Sequence, residues 1–544
     1  MRPFLTLHDP GAAARFYASG FWSDDTFYSL AARHAAERPD APALADGKFA
    51  WSWREVCDRA DALAADLHGA GLVPGDRVSL WLGNHAAAVV AFIACSRGGY
   101  ACNPSLHRTY TTAEILSLVE RLGSAAFITE PGWGADRGDG GHLETSIMDL
   151  PSMRRFFPHP SQLPCACPPG FDRPAHRNPD SVAYMAFTSG TTGAPKCVMH
   201  SCNSLLANAR NMVRDWQLGS DDRLLTLSPL SHHIAWVGVS QWLLSGCMYF
   251  TDDPPEGRDR LDWIIDTGAT YIMGVPTHAM DVLALQRERG VRRMGAVRMF
   301  YIAGSAIPPT VAQAFAEQGI KPQNVYGMTE NSSHQYTHPD DDHAIAINTC
   351  GRGGDAYRIR IFDPDDKERA LPVGEIGEIG GQGAALMLGY FGNQDATAGS
   401  FNRLGWFMSG DLGAVDEHGN LTVAGRSKDL IIRGGHNIHP SHIEALALRH
   451  PALERVAAIP VPDERLGEKV CLAVVGEHDA QSLLTHLDRE GLSIHDMPEY
   501  FLTLDAFPLT ASGKVLKRDL IEQVRNGTLR PRAVRFVRAA RSGL

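Results

Sequence analysis

The feature that most constrains this chain is a loop of hydroxyl groups and glycines at residues 188–196, directly after a short apolar run. The apolar run, residues 182–187, predicts a buried strand that ends in a turn. Glycines let backbone N–H groups turn inward, and hydroxyls supply further donors, so the loop suits a polyphosphate. Lys196 adds the positive charge that phosphates require. Taken alone, the loop has an alternative interpretation as a Ser/Thr-rich surface turn.

The loop is not a Walker P-loop, because no Gly-Lys-Ser/Thr follows its first glycine at the required spacing. It resembles the phosphate loop of the adenylate-forming superfamily, which includes acyl-CoA synthetases, peptide-synthetase adenylation domains and luciferases. The resemblance implies that the loop binds the β- and γ-phosphates of ATP. The matching residues are Thr188, Ser189, Gly190, Thr191, Thr192, Gly193 and Lys196. Cys197 stands where the family usually has glycine, which we expect to stiffen the loop's exit without removing a donor.

The composition limits the class of protein. A chain of 544 residues exceeds what one core usually supports, so two or more domains are expected. A net charge of −11 argues against nucleic acid as a partner. The amino terminus lacks the apolar core of a signal peptide, and residues 86–95, the longest apolar run, are too few for a transmembrane segment and predict a core helix. Ten cysteines without a framework predict a reduced, cytoplasmic protein. The sequence leaves a homodimer open.

Helix and strand patterns alternate over residues 51–150, which predicts α/β layers. An amphipathic helix is predicted to end near Glu37, and a proline-rich connector is predicted over residues 158–179. Cys165, Cys167 and His176 lie in or beside this connector, but their spacing does not match a structural zinc site.

A second motif, residues 324–330, follows an apolar strand pattern at 297–303. The resemblance implies that Tyr326 stacks on adenine, Thr329 binds the α-phosphate and Glu330 holds Mg²⁺. A flat π-face, a hydroxyl donor and a hard anionic oxygen suit these three roles. The family also places nucleotide-binding residues at Gly304, Ser305, Ala306, Asn324 and Gly327. Residues 334–343, rich in His and Asp, are interpreted as a solvated loop rather than a metal site.

Two further motifs complete the implied nucleotide site and mark a domain boundary. Asp411 would bind both ribose hydroxyls, which the two oxygens of a carboxylate can accept. Arg426 would approach ribose and phosphate, and Lys428 matches the family's hinge. The sequence therefore predicts a domain at residues 1–427 and a smaller, mobile domain at residues 428–544.

The resemblance also implies an acyl pocket around His232. Amino-acid-activating relatives carry an aspartate beside that position to pair with the substrate's ammonium group. Here the neighbour is His233, and no acid lies in this segment. Since an unpaired ammonium in an apolar pocket is costly, a plain carboxylic acid is the expected substrate. Trp236 and Gly304 would shape a pocket for a compact cyclic, aryl or medium-length acid.

In the second domain the resemblance implies two more functional positions. Gly434 and Gly435 would let the backbone approach the pantetheine arm of coenzyme A. Lys514 would be the catalytic lysine. His436, His439 and His442 have an even spacing, which we interpret as a mobile loop rather than a metal cluster.

The sequence thus predicts a multidomain α/β fold like that of the acyl-CoA synthetases. The expected function is ATP-dependent activation of a medium-chain, alicyclic or aryl carboxylic acid. The acid would pass through an acyl-adenylate to an acyl-CoA thioester, with ATP, Mg²⁺ and coenzyme A required and AMP and pyrophosphate released. The wider pattern is similar to bacterial alicyclic-acid and medium-chain acyl-CoA ligases of fatty acid metabolism. Two alternatives stay open: an acyl-AMP ligase that loads a separate carrier protein, and a non-enzymatic binder of nucleotide or acyl chains.

Overall fold

A computed structural model describes residues 10–136, 140–188, 195–304, 307–453, 455–509 and 515–536. Residues 189–193, Ser305, Ala306 and Lys514, for which the sequence predicts functions, lie outside the described residues.

Helices occur along the whole described chain. They are α1 (Pro10–Ala18), α2 (Phe27–Glu37), α3 (Trp53–Gly69), α4 (Ala86–Gly98), α5 (Thr112–Leu122), α6 (Gly140–Met148), α7 (Cys202–Asp215), α8 (His233–Ser245), α9 (Arg260–Asp266), α10 (Pro276–Arg289), α11 (Pro309–Ala316), α12 (His343–Asn348), α13 (Gln394–Ala398), α14 (Pro440–Ala447), α15 (Ala480–Arg489) and α16 (Lys517–Arg525). Short 3-10 turns cover Pro160–Gln162 and Ser427–Asp429.

Strands alternate with these helices along the described chain. They are β1 (Pro42–Ala45), β2 (Ala50–Ser52), β3 (Arg77–Trp81), β4 (Ala101–Asn103), β5 (Ser124–Thr129), β6 (Arg155–Phe157), β7 (Val182–Thr188), β8 (Lys196–Ser201), β9 (Arg223–Thr226), β10 (Met248–Thr251), β11 (Tyr271–Gly274), β12 (Met299–Ala303), β13 (Lys321–Met328), β14 (Ser332–Tyr336), β15 (Tyr357–Phe362), β16 (Gly377–Gly383), β17 (Gly389–Tyr390), β18 (Phe407–Val415), β19 (Leu421–Arg426), β20 (Ile431–Arg433), β21 (His436–Ile438), β22 (Val456–Asp463), β23 (Gly467–Val475), β24 (Tyr500–Leu504) and β25 (Arg532–Ala533).

Two mostly parallel sheets form the large amino-terminal domain. The first has the order β14-β13-β12-β11-β9-β10-β1-β2, and the six strands from β13 to β1 are parallel. The second has the order β17-β8-β7-β4-β3-β5-β6, with β8 and β17 antiparallel at one side. Parallel strands need crossover connections, and helices provide them, so the predicted α/β layering is confirmed.

Helices α2, α3, α4, α7 and α8 pack on one another within one continuous core. The core contains the fully buried rings of Trp53, Phe92, Tyr184, Trp236 and Trp242. Helix α4 is buried along nearly its whole length, as expected of a helix that is apolar on all sides. The core helix predicted at residues 86–95 is therefore confirmed.

Side-chain caps explain where several helices begin. Thr26, Ser52, Thr111 and Ser201 each accept a hydrogen bond from the backbone N–H three residues later, and the side chain at that later position bonds back to the cap. This reciprocal capping satisfies two amide donors that would otherwise lack partners.

The helix predicted to end near Glu37 does end there as α2. The connector at 158–179 contains only one short 3-10 turn, as predicted.

The carboxy-terminal part is smaller. A four-stranded antiparallel sheet, β15-β16-β18-β19, leads through the 3-10 turn at Ser427–Asp429 into a sheet ordered β21-β20-β23-β24-β25, with β22 also paired to β23. Helices α14 and α15 contribute to a separate core beneath that last sheet. Ser441 at the start of α14 donates a hydrogen bond to the carbonyl of Ala424 on β19.

All ten cysteines are free thiols, and no described helix has the length and apolar character to span a bilayer.

Candidate active site

Strands β7 and β8 form a hairpin that holds both ends of the predicted phosphate loop. Thr188 lies opposite Lys196 in the antiparallel pairing. Just before Lys196, the carbonyl of Pro195 accepts a 2.7 Å hydrogen bond from Nη1 of Arg121. The loop between them lies outside the described residues, but the hairpin fixes where it starts and where it returns.

Cys197, the departure from the family's usual glycine, has its side chain in the protein interior. It is 1% exposed and packs in an apolar cluster with Phe187 and Met199. Burial raises the pKa of its thiol to about 12, so the group stays protonated. The cysteine therefore fills core space behind the loop and offers no charge to a ligand.

A tight turn between β13 and β14 presents Thr329 and Glu330. A Cβ atom at Gly327 would lie 1.7 Å from the carbonyl oxygen of Ser332, so only glycine fits beneath the returning strand. Ser332 itself has a φ of +59°, in the left-handed region. The carbonyl of Thr329 lies 2.6 Å from Nε2 of His200, which fixes the turn to β8. The chain thus brings the second motif next to the phosphate loop.

Tyr390 joins two of the predicted site residues. Its hydroxyl donates a 2.8 Å hydrogen bond to Oε1 of Glu330, and Nζ of Lys196 lies 4.6 Å from its ring centroid. Burial raises the pKa of Glu330, while Tyr390 and Lys196 oppose that shift. The sequence alone does not indicate Tyr390, because only the pairing of β17 with β8 brings it here.

Tyr326, Asp411 and Arg426 form a second connected group. The Tyr326 hydroxyl donates to Oδ2 of Asp411 at 2.9 Å, and Nε of Arg426 lies 3.2 Å from the other carboxylate oxygen. Asp411 and Arg426 are directly paired across β18 and β19, whereas Tyr326 comes from β13. The structure therefore brings Tyr326 into contact with Asp411, which lies 85 positions further along the sequence and is itself bonded to Arg426.

His334 lies behind this group, and its interpretation as part of a solvated loop is wrong. It is 1% exposed on β14, with its ring centroid 4.2 Å from that of Tyr357 and an edge-on contact to Tyr326. Burial lowers its pKa to about 3, so the imidazole is neutral. Strand β14 returns beside β13 in the same sheet, and the chain stays buried from His334 through Thr337.

His232 stands immediately before α8 and stacks on a second histidine. The ring centroids of His232 and His107 are 4.4 Å apart, and Nδ1 of His107 lies 3.0 Å from the Ser231 hydroxyl. Burial lowers the pKa of His107 to about 4, so this ring is neutral. Sequence reasoning did not single out His107, because nothing local distinguishes it from an ordinary loop histidine.

His233 is the residue that the sequence predicts to stand where amine-binding relatives have an acid. Nδ1 lies 3.4 Å from the Tyr184 hydroxyl, and Nε2 lies 3.4 Å from the Ser332 hydroxyl. Burial, with a smaller contribution from His200, lowers the pKa of His233 to about 3. The described surroundings of His233 thus offer a neutral imidazole and two hydroxyls, with no carboxylate bonded to it.

Gly304 and Asn324 lie on or beside two neighbouring parallel strands, β12 and β13. Gly304 follows β12 with a φ of +98°, which favours glycine. Asn324, on β13, donates from Nδ2 to the carbonyl of Thr349 at 2.7 Å, so its amide already holds the segment after α12. A role for either residue in nucleotide binding stays a prediction.

The predicted hinge and the glycine pair frame the start of the small domain. Lys428 is exposed in the 3-10 turn at Ser427–Asp429. Gly434 and Gly435 have φ values of +60° and +86° and form the two-residue turn between β20 and β21. Two consecutive positive φ values match the tight hairpin turn that favours glycine. The segment containing Lys514 is closed at its base by a bridge between Leu509 and Val515.

The described residues contain one group with spacing suited to a metal, formed by Asp46, His85 and Asp253. Asp46 already accepts hydrogen bonds from three backbone amides. His85 bonds to Asp253 at 3.1 Å and to Glu130 at 2.7 Å, and these bonds raise its pKa to about 9. A protonated histidine repels a cation, so we interpret this group as an ion-paired link between the two sheets.

His436 is one of the three evenly spaced histidines of the second domain. Its Nε2 lies 2.7 Å from a carboxylate oxygen of Asp496.

Known families and relatives match both domains of the chain. The model for the AMP-binding enzyme family matches residues 31–391, and that for the AMP-binding enzyme C-terminal domain matches residues 442–514. The chain belongs to the AMP-binding enzyme family. It is 28% identical to the medium-chain fatty-acid–CoA ligase of Escherichia coli K12, over 96% of this chain and 95% of that one. It is 31% identical to a Streptomyces salicylyl-CoA synthase / salicylate adenylyltransferase, over 94% and 96%.

Solved structures of family members agree with the fold. ATP-bound MatB from Rhodopseudomonas palustris superposes with a TM-score of 0.80 at 26% identity, covering 92% of this chain and 99% of that one. The predicted α/β fold with a large amino-terminal and a small carboxy-terminal domain is therefore confirmed. Because the superposition covers nearly the whole of both chains, this chain and ATP-bound MatB have the same overall architecture.

Proposed function

We propose that this enzyme activates a carboxylic acid with ATP to an acyl-adenylate and then transfers the acyl group to coenzyme A. The observation that carries the proposal is that β13 and the turn after it each hold one member of a connected group of residues. The two groups are Tyr326–Asp411–Arg426 and Glu330–Tyr390–Lys196. One group offers an aromatic ring, a carboxylate and a guanidinium, which suit a nucleoside. The other offers an ammonium and a carboxylate beside the phosphate loop. The family membership of the chain supports the same reaction.

The nucleotide would extend from Tyr326 toward Lys196. Tyr326 would contact adenine, Asp411 the ribose hydroxyls, and Thr329 the α-phosphate. The loop from Thr188 to Lys196 would bind the β- and γ-phosphates, with Gly304–Ala306 and Asn324–Gly327 forming the adenine side. In the described structure Asp411 already accepts two hydrogen bonds, so its oxygens are held in place before ribose arrives.

The residues present fit a magnesium ion at Glu330. A carboxylate is the hard oxygen ligand that Mg²⁺ prefers, and Tyr390 holds one oxygen of the Glu330 carboxylate. When bound, Mg²⁺ would neutralise phosphate charge. Tyr390 would orient the Glu330 carboxylate, and Lys196 would add a second positive charge beside it.

The chemistry requires two anions to meet. The substrate carboxylate must approach the α-phosphorus of ATP in line with the leaving pyrophosphate, so the site must offset repulsion and fix geometry. Lys514 would bridge carboxylate and α-phosphate during this step. A coenzyme A thiol would then attack the acyl carbon and displace AMP.

For the second step Lys514 must leave and the Gly434–Gly435 turn must arrive. We propose that rotation of residues 428–544 about Lys428 does both. The exposed position of Lys428 in a short turn, with the four-stranded sheet on one side and the small domain on the other, supports a hinge there.

The pocket supports an acid without an amino group. His233 is neutral, and the described groups bonded to it are hydroxyls. An ammonium would find no counter-charge there and would be costly to bury. His232, stacked on His107, and the buried Trp236 favour a compact medium-chain, alicyclic or aryl acid. Ten free thiols support a reducing, cytoplasmic location.

The proposal is tested by supplying ATP, Mg²⁺ and a panel of carboxylic acids and measuring pyrophosphate release, with and without coenzyme A. We expect release to depend on the acid, and an acyl-CoA to form when coenzyme A is added. Adenylate that accumulates and is never transferred to coenzyme A would favour loading of a carrier protein instead. If no acid in the panel causes pyrophosphate release, the proposal is contradicted and a non-enzymatic binder is favoured.

A further inference from the structure

A cavity lies at the opposite end of the parallel strands of the seven-stranded sheet from the candidate active site. Its volume is about 610 Å³, and it is formed by the segments that precede β3, β4 and β7. The phosphate loop follows the other end of β7, which has seven residues. A strand of that length spans roughly 20 Å, so the cavity is separate from the nucleotide site.

The walls of this cavity are basic. Arg97, Arg173 and Arg177 contribute to the lining, and no carboxylate does. Arg97 is 9% exposed; its Nε donates to Asp61 at 2.6 Å and its Nη2 to the carbonyl of Arg173 at 2.7 Å. Its Nη1 has no hydrogen-bonding partner among the described residues. Arg177 is exposed and forms no ion pair with the described part of the chain. The Arg177 guanidinium and Nη1 of Arg97, which is ion-paired with Asp61 through Nε, are thus available to an anion.

Tyr100 supplies an independent indication of a ligand. It is 2% exposed and lines the cavity, yet its hydroxyl has no hydrogen-bonding partner in the described part of the chain. The backbone is shaped to hold this ring, because a Cβ at Gly98 would lie 2.2 Å from it. A Cβ at Gly99 would likewise lie 2.7 Å from the ring of His176. A ligand in the cavity would accept a hydrogen bond from this hydroxyl, which no described group does.

We propose that this cavity binds a small organic anion, with a carboxylate or phosphate attached to a flat apolar body. The anionic group would meet Arg97, Arg177 and the Tyr100 hydroxyl. The apolar body would rest on Phe171, which also packs against the Arg97 guanidinium at 4.9 Å from its ring centroid, and on Ala64. The volume lies within the range of about 300–1,000 Å³ that is usual for small-molecule sites. The site is independent of the proposed ligase reaction.

Calorimetric titration of the full chain tests the site, with phenyl phosphate, benzoate and inorganic phosphate as separate probes. Arg177→Glu should weaken binding of the preferred aromatic probe by about ten-fold or more, since it replaces a charge-assisted contact with repulsion. Arg177→Lys should retain most of the affinity. Arg293→Glu, which changes another exposed arginine far along the chain, should bind as the wild type does. The two aromatic probes distinguish a phosphate ligand from a carboxylate ligand.

Tyr100→Phe provides a second variant that keeps the ring. It should weaken binding several-fold without lowering the thermal stability of the free protein, because the lost hydroxyl has no partner there. Absence of binding by the wild type, or equal affinities of the wild type and Arg177→Glu, would overturn the proposal. If inorganic phosphate binds as tightly as phenyl phosphate, the proposal that the ligand has a flat apolar body is overturned. Pyrophosphate release by the proposed ligase activity should be unchanged in both variants.

Discussion

Tyr390 is the residue whose role the structure reveals most directly. Tyr390→Phe keeps the ring beneath Lys196 but removes the hydrogen bond to Glu330. Residues that orient a metal ligand typically affect metal affinity or activity by about 10- to 100-fold. We therefore expect acid-dependent pyrophosphate release to fall by at least about ten-fold, with a higher Mg²⁺ concentration needed for half-maximal rate.

Steady-state rates measured over a range of Mg²⁺ concentrations check this prediction. Tyr500→Phe, in the small domain, is the matched control, and it should leave the rate and the Mg²⁺ dependence unchanged. If Tyr390→Phe has the same Mg²⁺ dependence as the wild type, the tyrosine does not orient Glu330 for a cation.

Individual site residues were predictable where their own chemistry and their neighbours in sequence indicate a role. Lys196 and Glu330 belong to this group, since each stands in a motif with a recognisable order of residue types. Tyr390 and His107 were not predictable, because their partners are distant in sequence and nothing local marks them. The prediction for His334 is wrong because a histidine near aspartates suggests solvent, whereas strand pairing buries it.

At the scale of elements, the turn between β13 and β14 depends on one glycine. Gly327→Ala would place a Cβ 1.7 Å from the carbonyl of Ser332, so the backbone of the turn must move. We expect a destabilisation of about 3 kcal/mol or more, together with a large loss of activity, because Thr329 and Glu330 shift with the turn.

Gly319→Ala is the matched control for this substitution. Gly319 also has a positive φ, +76°, but a Cβ added there would have no atom within 4 Å. The substitution should cost only about 1 kcal/mol, from backbone strain, and leave activity intact. Thermal unfolding and pyrophosphate release distinguish the two, and similar effects of both substitutions would contradict the packing argument.

Elements with strong local patterns were predictable from the sequence. Helix α4 and strand β7 were predicted near their observed bounds because both are continuous apolar runs. The order of strands within the two sheets was not predictable, since β1 pairs with β10 and β17 pairs with β8 across about 200 residues. Those long-range pairings assemble the site, which explains why the sequence indicated its parts but not their contacts.

At the scale of the whole molecule, His85 links the two large sheets. Its pKa of about 9, raised by Asp253 and Glu130 from an ordinary value near 6.5, corresponds to at most roughly 3 kcal/mol of stabilisation. This contribution is complete below about pH 6.5 and is lost as the pH rises through about 9. His85→Gln should therefore lower the thermal midpoint clearly near pH 6.5 and much less near pH 9.5.

Thermal unfolding across that pH range measures the effect, with the exposed His418→Gln as a control that should show no such dependence. A midpoint difference for His85→Gln that is constant with pH would exclude a charged histidine between the sheets.

The proposed hinge at Lys428 also concerns the whole molecule, because it lies between the two domains. Lys428→Pro fixes φ and removes a backbone N–H in the turn between the domains. We expect adenylate formation to survive and thioester formation to fall severely, since only the second step needs the rotated arrangement. Single-turnover kinetics of each step with one accepted acid provide the measurement. Wild-type thioester formation by this variant would contradict a pivot at Lys428.

The central claim is that the enzyme forms an acyl-adenylate with one arrangement of its domains and a thioester with another. Lys514→Ala tests it most directly, by comparing acid-dependent pyrophosphate release with thioester formation from supplied acyl-adenylate. We predict that pyrophosphate release falls by a factor of at least about 100, as for loss of a main charge-stabilising donor, while the supplied adenylate is still converted. Equal loss of both steps, or undiminished pyrophosphate release, would contradict the account.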